Sequence, residues 1–529
     1  MSPSSRHAPG VHPGVHPDPS PSALAPEVFH TLDPKPFPFP WAVFAVVAAL
    51  AAALRLAALG QEALFLDEYL TLRTSAASGG FRGFLRYVWL HDPHPPLYFL
   101  MMRTWIAVAG DSHVALRLPS ALAGIAAVWA IMRALFETRR AGPFACALIG
   151  VLAAVNPFLV YYSQEARAYS LLVLLVALNT VFLVRLWVYE DQTPRAGDLL
   201  GMAATALVAA TVHYFAIFLV AQDLAVLILR QMTGQGGRLR LKGAPWPSRV
   251  LATLVGVAGL VAAQAAIGVA IGGRTQMISW LPPWSPLFLF HQWRATVEGP
   301  LHVILPDWVI LLSLVWWLLA TWAAWRPQRA APGAMGRPIG GLLVGCLGAV
   351  LVLPHVLSVF HPLLFYGQRY MIISAPAFLL LTAWPAARSR RPRLQVLFLL
   401  LCFAPSVAYY ADYYAHRQKR AWDTAAQKCA EYVGPGGVVW HWTPKGDWPL
   451  VYYLDKKKLQ MVERENLEDF PPPPATIQRL AIVSLTPALL DAKVPEGFAR
   501  GPTGIIETHW AKHEIFVRFF ERVPQVNLP

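Results

Sequence analysis

Runs of about twenty apolar residues recur along this chain, at 41–59, 114–136, 143–161, 166–187, 198–212, 213–230, 250–271, 307–325, 339–360, 370–387 and 394–411. A hydrocarbon layer about 30 Å thick takes about 20 helical residues to cross, because each residue rises about 1.5 Å. The pattern predicts an all-α polytopic membrane protein of about eleven crossings. The stretch 198–230 is one long run, divided at His213-Tyr214. Composition agrees: 56% of the 529 residues are hydrophobic and 14% are charged, where soluble domains carry roughly a quarter charged. An ordinary soluble enzyme is excluded. The net charge of +14 does not point to nucleic acid, because the Lys and Arg residues are scattered over short loops rather than gathered on one face.

Charge also sets the orientation. Arg139, Arg140, Arg185, Arg195, Arg230, Arg238, Arg240, Lys242, Arg249, Arg326, Arg329, Arg337, Arg388, Arg390, Arg391 and Arg393 all fall in loops on one side of such a bundle. The opposite loops hold Arg73, Arg82, Arg86, Arg167, Arg274, Arg294 and Arg369. Basic loops stay in the cytoplasm, so the N-terminus is expected inside and the C-terminal part outside. Counting 95–110 as a further span would reverse Arg139 and Arg140. It is therefore expected to lie at the membrane surface. Residues 1–40, rich in Pro and His, are expected to form a disordered cytoplasmic tail, and no cleavage site follows them, so 41–59 reads as a retained helix. The bundle then covers 41–411, with a first external loop at 60–113. From 412 to 529 the composition shifts to short apolar runs, GVVWHW (437–442), LAIVSL (480–485) and HEIFVRFF (513–520), separated by helix-like stretches at 420–432 and 487–492. This predicts a small periplasmic α/β domain. Cys146, Cys346, Cys402 and Cys429 have neither disulfide-framework nor zinc-site spacing.

Ionisable side chains at the lipid boundary are costly and need a pairing or functional reason. Four segments carry them. Asp67 and Glu68 follow the first span in GQEALFLDEYLTLR; on a helix they diverge by about 100° and so take different partners, the competing reading being a solvated helix start. His94 stands before two prolines in HDPHPPLYF, able to donate to an anion or simply to complete a rigid turn. In NPFLVYYSQEARAYS, Glu165 and Tyr169 are spaced to share a helix face, and Glu165 with Arg167 is either a site or a plain ion pair. In FYGQRYM, Arg369 has the planar fork that grips two phosphate oxygens, with a snorkelling interfacial Arg as the alternative. His213, Tyr214 and His355 read as packed core residues. Carboxylates and arginines gathered on one face suit a transferase whose donor is a lipid phosphate.

These segments, with LRLPSALAG (116–124), HYF (213–215) and QRYMIISAP (368–376), resemble the bacterial GT-C superfamily glycosyltransferases, related to the protein O-mannosyltransferases and to the lipid A aminoarabinose transferase. The resemblance runs from about 41 to 430. It implies an inverting transfer from a polyprenyl-phosphate sugar at the outer face of a bacterial inner membrane. By that resemblance Asp67 is the candidate base, Glu68 its neighbour in the catalytic motif and Glu165 the second external acid. Arg167, Arg369, His94 and Tyr370 are candidates for the donor phosphate. Tyr98 stands where protein O-mannosyltransferases carry a Lys, and their large luminal insertion has no counterpart. The expected acceptor is therefore a lipid or glycolipid of the cell envelope, such as lipopolysaccharide, rather than a protein.

No obligatory metal is expected, since a lipid phosphate is a good leaving group; a divalent ion shared by two carboxylates is the alternative. A polytopic lipid or sugar transporter would share the spans, but transporters carry internal repeats and mid-membrane charges, and neither is seen. A non-catalytic envelope-assembly subunit is the third reading, since function lives in the site rather than the fold.

Overall fold

The computed structural model describes residues 38–92, 94–139, 141–188, 195–232, 287–300, 305–325, 339–348, 368–388, 406–416, 418–443, 449–506 and 514–523, with scattered positions between 255 and 266 and at 350, 353 and 356. Residues 1–37 of the expected tail and most of the expected spans 250–271 and 394–411 lie outside the described residues.

The helical part contains α1 (Trp41–Leu56), α2 (Leu66–Ser75), α3 (Gly80–His91), α4 (Leu97–Ala109), α5 (His113–Glu137), α6 (Pro143–Ala154), α7 (Pro157–Ser163), α8 (Tyr169–Val188), α9 (Ala196–Val212), α10 (Ile217–Met232), α11 (Phe288–Glu298), α12 (Asp307–Trp325), α13 (Ile339–Leu347) and α14 (Ala375–Arg388). Two of them, α5 and α8, are long and apolar enough to cross a membrane alone, and α6 with α7 makes a third as a bent pair. Others, including α1, α4 and α9, are apolar but shorter. A mostly helical bundle is present; eleven crossings are not established.

Helix α5 is the centre of the bundle, packed along α8 and against α1 and α6. Its buried Ala123, Gly124, Ala127, Ala130 and Ala134 let neighbouring backbones approach, as small residues do between membrane helices. At Gly124 a Cβ would fall 2.1 Å from the Ser163 hydroxyl oxygen and 3.0 Å from Arg55 Nε.

One expected span is broken for a local reason, and another starts later than expected. The run 143–161 bends by 55° between α6 and α7. Pro157 has no N–H and biases the residue before it away from helical angles, while the Asn156 side chain caps α7 by accepting from Leu159 N at 3.0 Å. The carbonyls left at the end of α6 are taken by Arg55 of α1, which is fully buried: its guanidinium donates to Ala154 O at 2.8 Å and Ala153 O at 3.2 Å. The run 166–187 becomes helical only at Tyr169, so residues 164–168 are irregular and Glu165 and Tyr169 do not share a helix face.

Beyond a helical stretch at 406–415 comes an α/β unit. Helices α15 (Trp422–Val433) and α16 (Leu450–Lys456) accompany five strands, β1 (Val438–Trp442), β2 (Gln460–Arg464), β3 (Arg479–Ser484), β4 (Phe498–Ile506) and β5 (Ile515–Arg522). Sheet order is β2-β1-β3-β5-β4. The first three strands are parallel and β5 is antiparallel to both its neighbours.

Candidate active site

The loop after α1 and the first turn of α2 form one wall of the site. Asp67 and Glu68 occupy that first turn, where the helix dipole favours anions. Their side chains diverge, as expected, and meet opposite partners.

Glu68 is fully buried. Arg117 of α5 holds it with two prongs, Nε to Oε1 at 2.7 Å and Nη2 to Oε2 at 2.9 Å. Lys419 Nζ stands 2.9 Å from Oε2. Backbone N–H groups of Phe65, at 2.9 Å, and Ala166, at 3.1 Å, donate to the same carboxylate. Burial raises the Glu68 carboxyl, but Arg117 and Lys419 outweigh it and hold the group far below the usual range. Arg117 also donates to the carbonyls of Leu59, Glu62 and Ala63, so this pair fixes the loop leading into α2. Such a carboxylate is an anchor: every lone pair is engaged, and no face is open to a reactant.

Asp67 is the less buried member of the pair, its side chain 18% exposed. It forms an ion pair with Arg369, which enters from a short 3-10 helix, Gln368–Ser374. Burial pushes its carboxyl up, the guanidinium groups of Arg369 and Arg167 push it down, and the net position lies below the ordinary aspartate value. Tyr370 follows in that 3-10 helix, its side chain outside the described residues.

Arg167 connects the other elements. Its guanidinium reaches Asp92 Oδ2 at 3.4 Å, the Thr71 hydroxyl at 3.3 Å and the Asp67 carbonyl at 3.5 Å. Asp92 also accepts from the His94 backbone N–H at 3.0 Å and lies 2.6 Å from His94 Nδ1. Arg167 Nη2 lies 3.3 Å from the same nitrogen, so Asp92 and Arg167 converge on one face of the ring. Burial lowers the His94 ring below its usual value, and the same burial, outweighed by Arg167 and His94, leaves Asp92 low. His94, Tyr98, Phe99, Arg167, Ala168 and Tyr169 line a small hollow beside this cluster.

Glu165 sits in the irregular turn between α7 and α8. It is 3% exposed, and its Oε2 has no hydrogen-bond partner among the described residues. Burial raises its carboxyl above the usual glutamate value; Lys419 is the strongest influence in the other direction.

The structure thus brings Asp67, Glu68, Glu165, Arg167, Arg369 and His94 to one end of the bundle. Three further residues were not singled out from the sequence. Asp92 and Arg117 lie inside the quoted segments HDPHPPLYF and LRLPSALAG, where an acid or a base beside hydrocarbon was signal enough. Lys419 carries no local signal, because it reaches the site from a part of the chain about 350 residues away. Among the described residues no group of three or more His, Cys, Asp or Glu side chains is arranged to hold a metal ion.

Residues 93–261 match the family described as dolichyl-phosphate-mannose-protein mannosyltransferase. Among solved structures, ArnT from Cupriavidus metallidurans bound to undecaprenyl phosphate superposes with a TM-score of 0.50 at 14% identity, covering 92% of this chain and 99% of that one. Its apo state gives 0.53 at 14% identity, covering 90% and 97%. The arabinofuranosyltransferase AftD from Mycobacteria gives 0.47 at 15% identity, over 92% of this chain and 42% of that one. A comparison with curated protein sequences finds no match. The chain has the fold of the GT-C glycosyltransferases, and across 93–261 it carries the sequence pattern of the dolichyl-phosphate-mannose-protein mannosyltransferase family.

Proposed function

We propose that the protein is an inverting glycosyltransferase that moves a sugar from a polyprenyl-phosphate donor to a hydroxyl of a lipid, glycolipid or other cell-envelope acceptor, on the outer face of a bacterial inner membrane. The observation that carries this reading is the pairing of Asp67 with Arg369, a base and an anion clamp delivered to one point by segments 302 residues apart. The family match over 93–261 and the fold shared with ArnT, which binds undecaprenyl phosphate, support it.

In this reading the donor phosphate competes with Asp67 for Arg369. Once the guanidinium turns to the phosphate, Asp67 is released to take the acceptor proton. The acceptor oxygen then bonds to the anomeric carbon from the face opposite the phosphate, the carbon–phosphate oxygen bond breaks, and the lipid phosphate leaves with both electrons. Arg369 and Arg167 hold the charge that develops on it, the kind of preorganised contact that lowers such barriers most. Glu68 fixes the loop, and Asp92 orients His94 toward the same space. The leaving phosphate is a stable anion, so this chemistry requires no metal.

The test is direct: purified protein in lipid, a polyprenyl-phosphate sugar and an envelope glycolipid extract, with products read by mass spectrometry and matched to glycolipids missing from cells that lack the gene. In that assay Arg369→Lys is expected to cut rate or donor affinity appreciably and Arg369→Ala further, because Lys keeps the charge but not the two-pronged grip. Arg369→Ala should also move the acid limb of the pH profile upward. Asp67 then loses the strongest charge that offsets its burial, and its carboxyl takes up a proton at higher pH. Unchanged kinetics for the Lys variant would assign Arg369 to membrane anchoring and leave the phosphate to Arg167.

The orientation is part of the proposal. A reporter fused after residue 411 should be active outside the cytoplasm, and one at residue 240 inside; the reverse would remove the common outer face on which the chemistry depends.

A further inference from the structure

The segment that joins the bundle to the α/β unit enters the site. Glu62, in the loop after α1, accepts the backbone N–H groups of Gln418 at 2.7 Å and Lys419 at 3.2 Å. Six residues on, Glu68 accepts the Lys419 ammonium at 2.9 Å. One loop therefore grips this lysine at both ends. The side chain is 3% exposed, and its ammonium stands 5.9 Å from the centre of the Tyr161 ring. The α/β unit is pinned beside it. Tyr453 Oη accepts from Leu64 N at 2.7 Å and lies 2.9 Å from His113 Nε2, Tyr452 donates to Asp111 O at 2.9 Å, and Lys456 pairs with Asp111 at 3.2 Å.

A lysine is rarely buried without cause, and neutralising Glu68, a task Lys419 shares with Arg117, is not the whole cause. Arg117 already does that with two prongs. The side chains of Arg117, Glu68 and Lys419 carry one surplus positive charge, with the half-buried Glu62 carboxylate turned to the backbone N–H groups of Gln418 and Lys419. The neighbouring anion that lacks a full set of partners is Glu165. The backbone places it there, since Ala166 N donates to the Glu68 carboxylate, and its Oε2 is buried with no hydrogen-bond partner among the described residues.

We propose that Lys419 is a positioning residue of the transferase site, the fixed counter-charge of Glu165, so that the junction leading into the C-terminal α/β unit completes the site. This rests on the transferase reading above. The groups that act on Glu165 are Asp67 and Glu68 from α2, Arg369 from the 3-10 helix and Lys419 from the junction, together with the tyrosines Tyr98, Tyr161, Tyr162, Tyr169 and Tyr413. The two other carboxylates oppose ionisation of Glu165. Lys419 and Arg369 favour it, and Arg369 is the one that a donor phosphate would draw away. During turnover Lys419 is then the cation left to keep Glu165 charged.

Lys419→Met and Lys419→Arg are to be compared with wild-type protein and with Lys456→Ala, which removes the docking pair with Asp111 and leaves the contacts of Lys419 in place. Transfer kinetics across pH are read beside protease resistance of the α/β unit. Lys419→Met is expected to lower kcat about tenfold or more with little change in donor KM, to shift the pH profile, and to leave the unit docked; Lys419→Arg should restore most of the rate. Wild-type kcat and pH profile in Lys419→Met overturn the proposal, as does a loss of rate that merely follows release of the unit. Difference infrared spectra at pH 7 separate this from failure of the transferase reading. Lys419→Met should show a protonated carboxyl band that Lys419→Met/Glu165→Gln lacks. Absence of that band overturns the proposal even if the wild-type protein transfers sugar, and its presence upholds the proposal even if the donor class is wrong.

Discussion

Asp67→Asn is expected to reduce sugar transfer by about 10²–10⁴-fold, the usual effect of removing a general base, while the protein stays folded and inserted. The amide has the shape of the carboxylate, so packing around α2 is kept. It cannot accept the acceptor proton, and it cannot hold Arg369 by charge. Two consequences separate this variant from a structural one. Donor affinity should be equal or better, because the phosphate no longer competes with Asp67 for Arg369. The acid limb of the wild-type pH profile should also disappear with the rate. That limb lies below the ordinary aspartate range, because the guanidinium groups outweigh burial at Asp67; the active base form is present at neutral pH and is lost as pH falls through the lowered value. Initial rates followed from pH 8 down through the acid limb, below the ordinary aspartate range, and donor binding to both proteins provide the check. Near wild-type turnover in Asp67→Asn would remove Asp67 as the base.

Glu68→Gln is expected to fail in another way, by loss of fold. It leaves Arg117 and Lys419 as two buried cations facing an amide. Breaking a buried ion pair by removing one partner costs about 3–5 kcal/mol, a large part of the roughly 5–15 kcal/mol that keeps a domain folded. The loop at 59–65 should loosen first, because Arg117 holds its carbonyls, and the α/β unit should lose its hold at Lys419. Thermal unfolding in detergent and the protease sensitivity of 412–529 would show it. The double variant Glu68→Met/Arg117→Met should recover part of the loss, since an apolar replacement for a whole buried pair is often tolerated. A Glu68→Gln protein as stable as wild type but without activity would instead return Glu68 to the chemistry.

Which features were legible in the sequence follows from how local their causes are. Helices α5 and α8 announce themselves by apolar length, and β1, β3 and β5 by short runs between turns. The break at Asn156-Pro157 was hidden inside an apolar stretch that looks continuous when only hydropathy is read, whereas the polar 164–168 lay in an expected external loop. Strands β2 and β4 were missed because QMVER and FARGPTGII are too polar or too rich in Gly and Pro to read as strands; tertiary pairing, not propensity, makes them so. In the site, Asp67, Arg167 and Arg369 stood out as charges against hydrocarbon. The different fates of Asp67 and Glu68 did not, because exposure depends on what α5 and the C-terminal junction bring up to them. No local pattern foretells that Lys419 meets Glu68.

Arg55 bears on how the chain is assembled during synthesis. Its main partners, the carbonyls of Ala153 and Ala154, leave the ribosome 98 and 99 residues after it does. When α1 is made, its guanidinium can reach the Ala51 carbonyl of its own helix but neither of those later acceptors. Only when α6 arrives, followed by the turn at Asn156 and the hydroxyl of Ser163, does the charge acquire a protein shell. The charge on α1 therefore gains its full set of acceptors only once the bend between α6 and α7 has been made.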